Sequence, residues 1–261
     1  MSAASLGLRV DRRSLVLPVV LVALWTAASA SGIANPHVLV PPGTLLAAFA
    51  SAVRSGDFWT AVGASLARFG AGWAIGSLFG IAVGVAVGTY RPAERVIAPS
   101  LDSVRQVALF AWIPLLTAWF GDGEAAKVIL IAVAAFFPVA LNTESGCRST
   151  PRALIEVGRV LEFDPWTMLR RVVLPSARPA ISAGLTIALT SAWIGTIGAE
   201  YLIDEGNGLG VYLASARLDS RMDLVIVSMV TLGAIGLALN AGLRAALGGR
   251  ASENDVVVTD D

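Results

Sequence analysis

Few residues in this 261-residue sequence are equipped for chemistry. Cys147 is the only cysteine and His37 the only histidine. That excludes an intramolecular disulfide and leaves too few ligands for a conventional zinc or haem site. Lys127 is the only lysine and follows no glycine-rich phosphate loop, so ATP hydrolysis is not expected of this chain. No nucleophile–base pair stands out, which disfavours a membrane-embedded enzyme. The candidates that remain lie on one segment. At 100° per residue, Thr186, Thr190, Trp193, Ile197 and Glu200 share one side of a helix, and Gly184, Ala188, Ser191, Gly195 and Gly198 the other. Hydroxyls, an indole and a carboxylate within an apolar run usually face a bundle interior or a water path. The first side is therefore a candidate lining for a translocation path. Its alternative is plain packing, with the threonine hydroxyls bonded to their own i−4 carbonyls and Trp193 filling space.

The elements that must carry these residues are set by composition. Hydrophobic residues make up 56% of the chain and charged residues only 15%, where a soluble domain is about a quarter charged. The apolar residues form blocks at 15–33, 68–89, 107–120, 127–141, 181–199 and 224–243. A membrane helix needs roughly 20 such residues, so the chain reads as an all-α polytopic bundle of about six spans. Pro114 interrupts the third block. In the second, Gly72, Gly76, Gly80, Gly84 and Gly88 recur every fourth residue. Glycine is a poor helix former in water, but in lipid small residues let backbones approach closely. Gly184, Ser191 and Gly195 repeat that theme in the fifth block.

The formal net charge is zero, so no attraction to nucleic acid is implied. Fourteen of the nineteen basic residues fall before the first block, between the second and third, between the fourth and fifth, or after the last. The positive-inside rule then puts both termini in the cytoplasm. This divides the chain into a cytoplasmic segment at 1–14, a transmembrane domain at 15–250 with a cytoplasmic loop at 148–176, and a polar, disordered tail at 251–261. Arg12-Arg13 and the apolar run after them, as far as Ala28-Ser29-Ala30, also resemble a cleavable secretory leader.

The loop is the most specific segment. Thr150-Pro151 and Asp164-Pro165 each set a capping side chain before a proline, predicting two short helices joined by a bend near Glu162-Phe163, with Pro175 limiting the second. This loop resembles that of the permease subunits of ABC importers, whose pattern is E-A-A, three residues, Gly, nine residues and I-x-L-P. Glu156, Val157 and Gly158 fill the first part, and Leu174-Pro175 closes the last. Glu162 stands at the family glycine. "AWIPLLTAWFG" at 111–121, "AFFPVALNT" at 135–143 and "GAEYLIDEGNGLGVYL" at 198–213 resemble the nitrate, sulfonate and taurine branch. Where members of that branch often carry a proline pair, this chain has Val107-Ala108-Leu109.

The resemblance implies a plasma-membrane import permease for a small anion such as a sulfonate, taurine or nitrate. It implies two copies of this chain, two ATP-binding subunits that hold the ATP and Mg, and an extracytoplasmic solute-binding protein. The loop would form coupling helices that dock on the ATPase. The alternatives are the same machine with another cargo (a pyrimidine precursor or a phosphonate) and an ion-coupled secondary transporter using Glu144 and Glu200. One outcome follows from the sequence alone. If 15–33 is retained as a span, mass spectrometry of the purified protein finds peptides from before Ala30; a mature start at Ser31 establishes the leader reading.

Overall fold

A computed structural model describes residues 16–30, 40–203 and 205–248. The described residues form helices α1 (Val16–Ala30), α2 (Pro42–Arg54), α3 (Gly56–Thr89), α4 (Arg91–Val104), α5 (Ile113–Phe120), α6 (Glu124–Arg148), α7 (Arg152–Val160), α8 (Pro165–Met168), α9 (Leu174–Leu202), α10 (Leu209–Leu218) and α11 (Met222–Gly248). The protein is an all-α membrane bundle. Gly56–Thr89, Glu124–Arg148, Pro165–Leu202 and Met222–Leu247 are long and apolar enough to cross a bilayer. Helices satisfy every backbone group internally, which is why apolar runs of this length take that form in lipid. Of the first block, 16–30 is helical; the rest of it, with His37, the N-terminal segment and the 251–261 tail, lies outside the described residues.

At the centre stands α6, gripped by α3 on one side and α9 on the other. The five ridge glycines of α3, Gly72 to Gly88, all face it. A Cβ at Gly72 would lie 2.5 Å from Ile131, at Gly80 2.9 Å from Val139, at Gly84 2.6 Å from Thr143 and at Gly88 2.8 Å from Cys147. Gly76 faces the carbonyl of Ala132. Each step of four on α3 matches a step of four on α6, so the two helices run parallel with their backbones nearly in contact. On the other flank α9 runs antiparallel. Gly184 faces Asn142 and the Pro138 carbonyl, Gly195 faces Ala134, and Gly146 of α6 faces Ala177 and Ala180.

The third block is not a continuous span. The chain makes a 3₁₀ turn at Leu109–Trp112 and continues as α5, and this piece is bent by 96° from α4. Pro114 sits in the first turn of α5, where its missing N–H costs nothing. Pro175 also behaves differently from expectation. The helix begun at Pro165 passes through a π-turn at Leu169–Val173 and runs straight into α9. A wide turn spaces out the carbonyls that a proline four residues later cannot bond, so the proline is absorbed rather than terminating. Helices α2, α4 and α10 lie outside the six apolar blocks.

The ridge makes a graded prediction for thermal unfolding in detergent. Gly76→Ala and Gly80→Val push α3 off α6 and lower stability by about 1–3 kcal/mol. Gly63→Ala, on the same helix with no atom within 4 Å of its Cβ position, leaves stability unchanged or raises it by up to about 1 kcal/mol.

Candidate functional site

At one end of the bundle lies the loop. Thr150 does not cap α7: its hydroxyl donates back to the Cys147 carbonyl at 2.9 Å, ending α6 instead. The chain turns into α7 at Pro151, whose carbonyl accepts from Leu154 and Ile155. The exit from α7 is built around Glu162, which has φ 52°. The Phe163 N–H reaches the Gly158 carbonyl and the Glu162 N–H the Arg159 carbonyl, both at 3.0 Å. That is the double bond pattern of a Schellman stop, normally formed by glycine. Glutamate makes the same turn at a conformational cost of about 1–2 kcal/mol. Gly158 is buried beneath Met168, whose methyl would lie 2.7 Å from an added Cβ. Arg171 lies over the Phe163 ring, 5.9 Å from its centroid. Asp164 caps α8, accepting from the N–H groups of Trp166 and Thr167 at 3.0 and 3.2 Å. The Thr167 hydroxyl, foremost among these partners, holds the Asp164 carboxyl below its ordinary pKa. Glu156 is exposed. So is an apolar row of Leu154, Val157 and Val160 on α7 with Leu161 just past its end, Val160 being 82% exposed; Leu154 and Val157 border a groove shared with Phe163 and Pro175.

The five polar-stripe residues of α9 do not share one surface. Thr190 is exposed, and with Ala183, Ile187 and Ile194 it forms the open face of the helix. Thr186 donates to the Ser182 carbonyl at 2.9 Å. Trp193 is buried, edge-on to Phe69 of α3, and its indole donates to the Leu232 carbonyl of α11 at 3.1 Å. Ile197 is half-buried against the core. Glu200 is fully buried.

Glu200 is the centre of a polar network at the end of the bundle opposite the loop. Its carboxylate accepts from the Ser65 hydroxyl at 2.7 Å, from Arg68 Nη1 at 2.6 Å and from the Gly210 N–H at 2.9 Å. Ser65 in turn accepts from the Leu209 N–H at 2.8 Å. Arg68 is 6% exposed and also grips Glu124 through Nε and Nη2, the latter at 2.6 Å. Lys127, fully buried, donates to the Glu205 carbonyl. The Glu200 carboxylate thus sits on the N-terminus of α10, where a helix favours negative charge. A side chain at Gly208 would strike it, since a Cβ there lies 2.5 Å from the carboxyl carbon.

Sequence reasoning missed Ser65, Arg68, Glu124 and Lys127 as one group. For Arg68, Glu124 and Lys127 the signal was present, as charges at the edges of apolar blocks in a chain that has few; Ser65 carried none. The network also bears on ion coupling. Glu200 is held by three donors, and Glu144 is paired with Arg148 at 2.8 Å, so both carboxylates proposed for that role are engaged.

Residues 76–247 match the family described as binding-protein-dependent transport system inner membrane component. A putative aliphatic sulfonates transport permease protein of Bacillus subtilis is 33% identical over 89% of this chain and 84% of its own length. The taurine transport system permease protein of Escherichia coli is 33% identical over 88% and 84%. The nitrate import permease protein of Leptolyngbya laminosa is 31% identical over 73% and 68%. Among solved structures, the inward-facing MetNI methionine ABC transporter superposes with a TM-score of 0.57 at 23% identity, covering 71% of this chain and 94% of that one. At that identity the likeness is one of fold.

The network predicts unequal costs for its members. Arg68→Met strands the Glu200 charge in the interior and lowers stability by about 3–5 kcal/mol. Glu124→Gln, at a carboxylate that is 63% exposed, costs about 1 kcal/mol or less. Thermal unfolding of the two purified variants separates them.

Proposed function

Since the chain belongs to the binding-protein-dependent transport system inner membrane components, we propose that it is the path-forming half of an ATP-driven importer. It works as a pair of identical subunits, with two separate ATPase subunits that bind ATP and Mg and a solute-binding protein outside. The observation that carries this reading is the apolar row of α7. Leu154, Val157, Val160 and Leu161 recur at helical spacing on an exposed face, and Trp166 of the same loop is exposed as well. In a polar loop such a row is a surface for another protein. Glu156, Val157, Gly158, Glu162, Asp164, Pro165, Leu174 and Pro175 shape that surface or join it to α9.

The connection matters for mechanism. From Pro165 to Leu202 the chain is one helical run of 38 residues, spanning about 57 Å at 1.5 Å per residue. Closure of the ATPase dimer draws the two loops together. Each run transmits that displacement to its far end, where Glu200 holds α10. The bundle is then a two-state element biased by ATP. Both termini lie in the cytoplasm, and the α10 end faces outward. The open face of α9 at Thr190 and Ile194 lines the path. Its cargo is a small anion, by analogy with the relatives' sulfonate, taurine and nitrate.

Two measurements test this. Val157→Asp together with Val160→Asp reduces ATPase association at least tenfold while thermal unfolding of the isolated permease is unchanged; undiminished association removes the loop from the interface. In a Cys147→Ser background, cysteines at Thr190 and Ile194 react with a water-soluble thiol reagent, and the reaction changes when ATP is trapped. Cysteines at Ala192 and Gly195 stay protected. Equal labelling of both pairs means that another face of α9 lines the path.

A further inference from the structure

At the loop end of the bundle an open groove of about 830 Å³ runs between the turn from α3 into α4, the last turn of α6 and the loop. Its floor is apolar, with Val87, Cys147, Leu169 and Val173. Tyr90 and Trp166 stand on its rim, and both are exposed. Arg148 lines it but is already taken by Glu94 at 3.1 Å and Glu144 at 2.8 Å. Three other arginines border it unpaired. Arg91, in the lining, and Arg95, one turn further along α4, are exposed and pair with no carboxylate among the described residues. The same holds for Arg152 of α7, one turn before the lining residue Ile155 and on the same face.

One segment of this chain matches the groove, and it lies at 251–261, outside the described residues. Glu253 and Asp255 precede Val256, Val257 and Val258, Asp260 and Asp261 follow them, and the segment has no basic residue. An apolar triplet between acidic pairs complements an apolar floor bordered by arginines. The groove is also within reach. Helix α11 starts at the Glu200 end, passes Trp193 at Leu232 and still packs Leu239 and Leu243 on the core, so Gly248 lies at the loop end. Between α11 and α6 stands α9, and two helix spacings are about 16–20 Å. The valines follow Gly248 by eight to ten residues, which extend to about 26–36 Å. Being on the same chain, the segment meets the groove at an effective concentration of the order of millimolar, so a contact of modest affinity fills it.

We propose that residues 251–261 dock in this groove as an autoinhibitory segment, with the valines on its floor and the acids on Arg91, Arg95 and Arg152. Docked, they cover Trp166, which belongs to the surface assigned to the ATPase, so segment and ATPase exclude one another; that consequence rests on the permease reading above. The test uses the full chain in phosphatidylcholine nanodiscs, in a Cys147→Ser background, with Tyr90→Cys and Val257→Cys. Mild oxidation joins the two cysteines within one chain. Arg91→Glu with Arg152→Glu slows the joining about tenfold, and adding Asp255→Arg and Asp260→Arg restores it. The joined chain binds the ATPase severalfold more weakly than the same chain reduced, and Val257→Asp in the parent chain tightens that binding. No disulfide, or one that forms as fast after the charge reversal, means that the segment is merely tethered nearby and overturns the proposal. A disulfide between two chains gives the groove to a second copy, and loss of the disulfide in phosphatidylglycerol gives it to lipid; either overturns it. So does ATPase binding that is equal in the joined and reduced forms. Failure of the parent chain to bind any ATPase overturns the permease reading instead, and the disulfide still reports the docking.

Discussion

The nearly touching backbones of α3 and α6 are the constraint on which the rest of the bundle depends. Lipid tails are as apolar as leucine, so burial alone does not draw membrane helices together; close packing does. Five glycines in register with Ile131, Ala132, Val139, Thr143 and Cys147 supply that packing along about four turns. The result fixes α6 against α3 in both register and rotation. With α6 fixed, α9 has one place to lie, and Gly146, Gly184 and Gly195 bring it there. The three helices make a rigid centre whose two ends are free to carry different polar equipment.

At the end away from the loop, that equipment is ionic. Burying Arg68, Lys127 and Glu200 is costly, and such a group is tolerated only when its hydrogen bonds are filled. Each of the three is held: Glu200 by Ser65, Arg68 and Gly210, Arg68 also by Glu124, and Lys127 by the Glu205 carbonyl. A network of this kind fixes direction as well as distance, because each donor reaches only its own acceptor. It binds α3, α6, α9 and α10 into one corner. The helical run from Pro165 to Leu202 ends in that corner, so the loop at its other end cannot shift without loading the network.

Several local features were legible because they are written in nearest neighbours. The glycine spacing of four names a ridge whatever packs on it. Asp164-Pro165 names a helix start, and the structure has one. A helix also starts at the matching Thr150-Pro151, but Thr150 does not cap it, because its hydroxyl bonds a carbonyl in the last turn of α6. Glu162 lacks the freedom of glycine in the left-handed region, yet it adopts φ 52°. There the two bonds that close α7 and the packing of Gly158 under Met168 outweigh a residue preference of about 1–2 kcal/mol. Trp193 shows the limit of a helical wheel. The wheel put it on the same side as Thr190, but a rotation of about 60° separates a residue facing α11 from one facing outward.

By itself the sequence determined the class of structure, the ridge that would pack and the segment that would turn back at the loop. Those depend on apolar run length, on residue size at fixed spacing and on caps and prolines, all of which act within a few residues. Only the tertiary structure decided which helix receives the ridge. It also decided that the third span is broken, and that Ser65, Arg68, Glu124 and Lys127 converge with Glu200. Those depend on contacts between segments far apart in the chain: Ser65 and Glu200 are separated by 135 positions. No local pattern encodes such a meeting, because the partners of a buried charge are chosen by the packing that buries it.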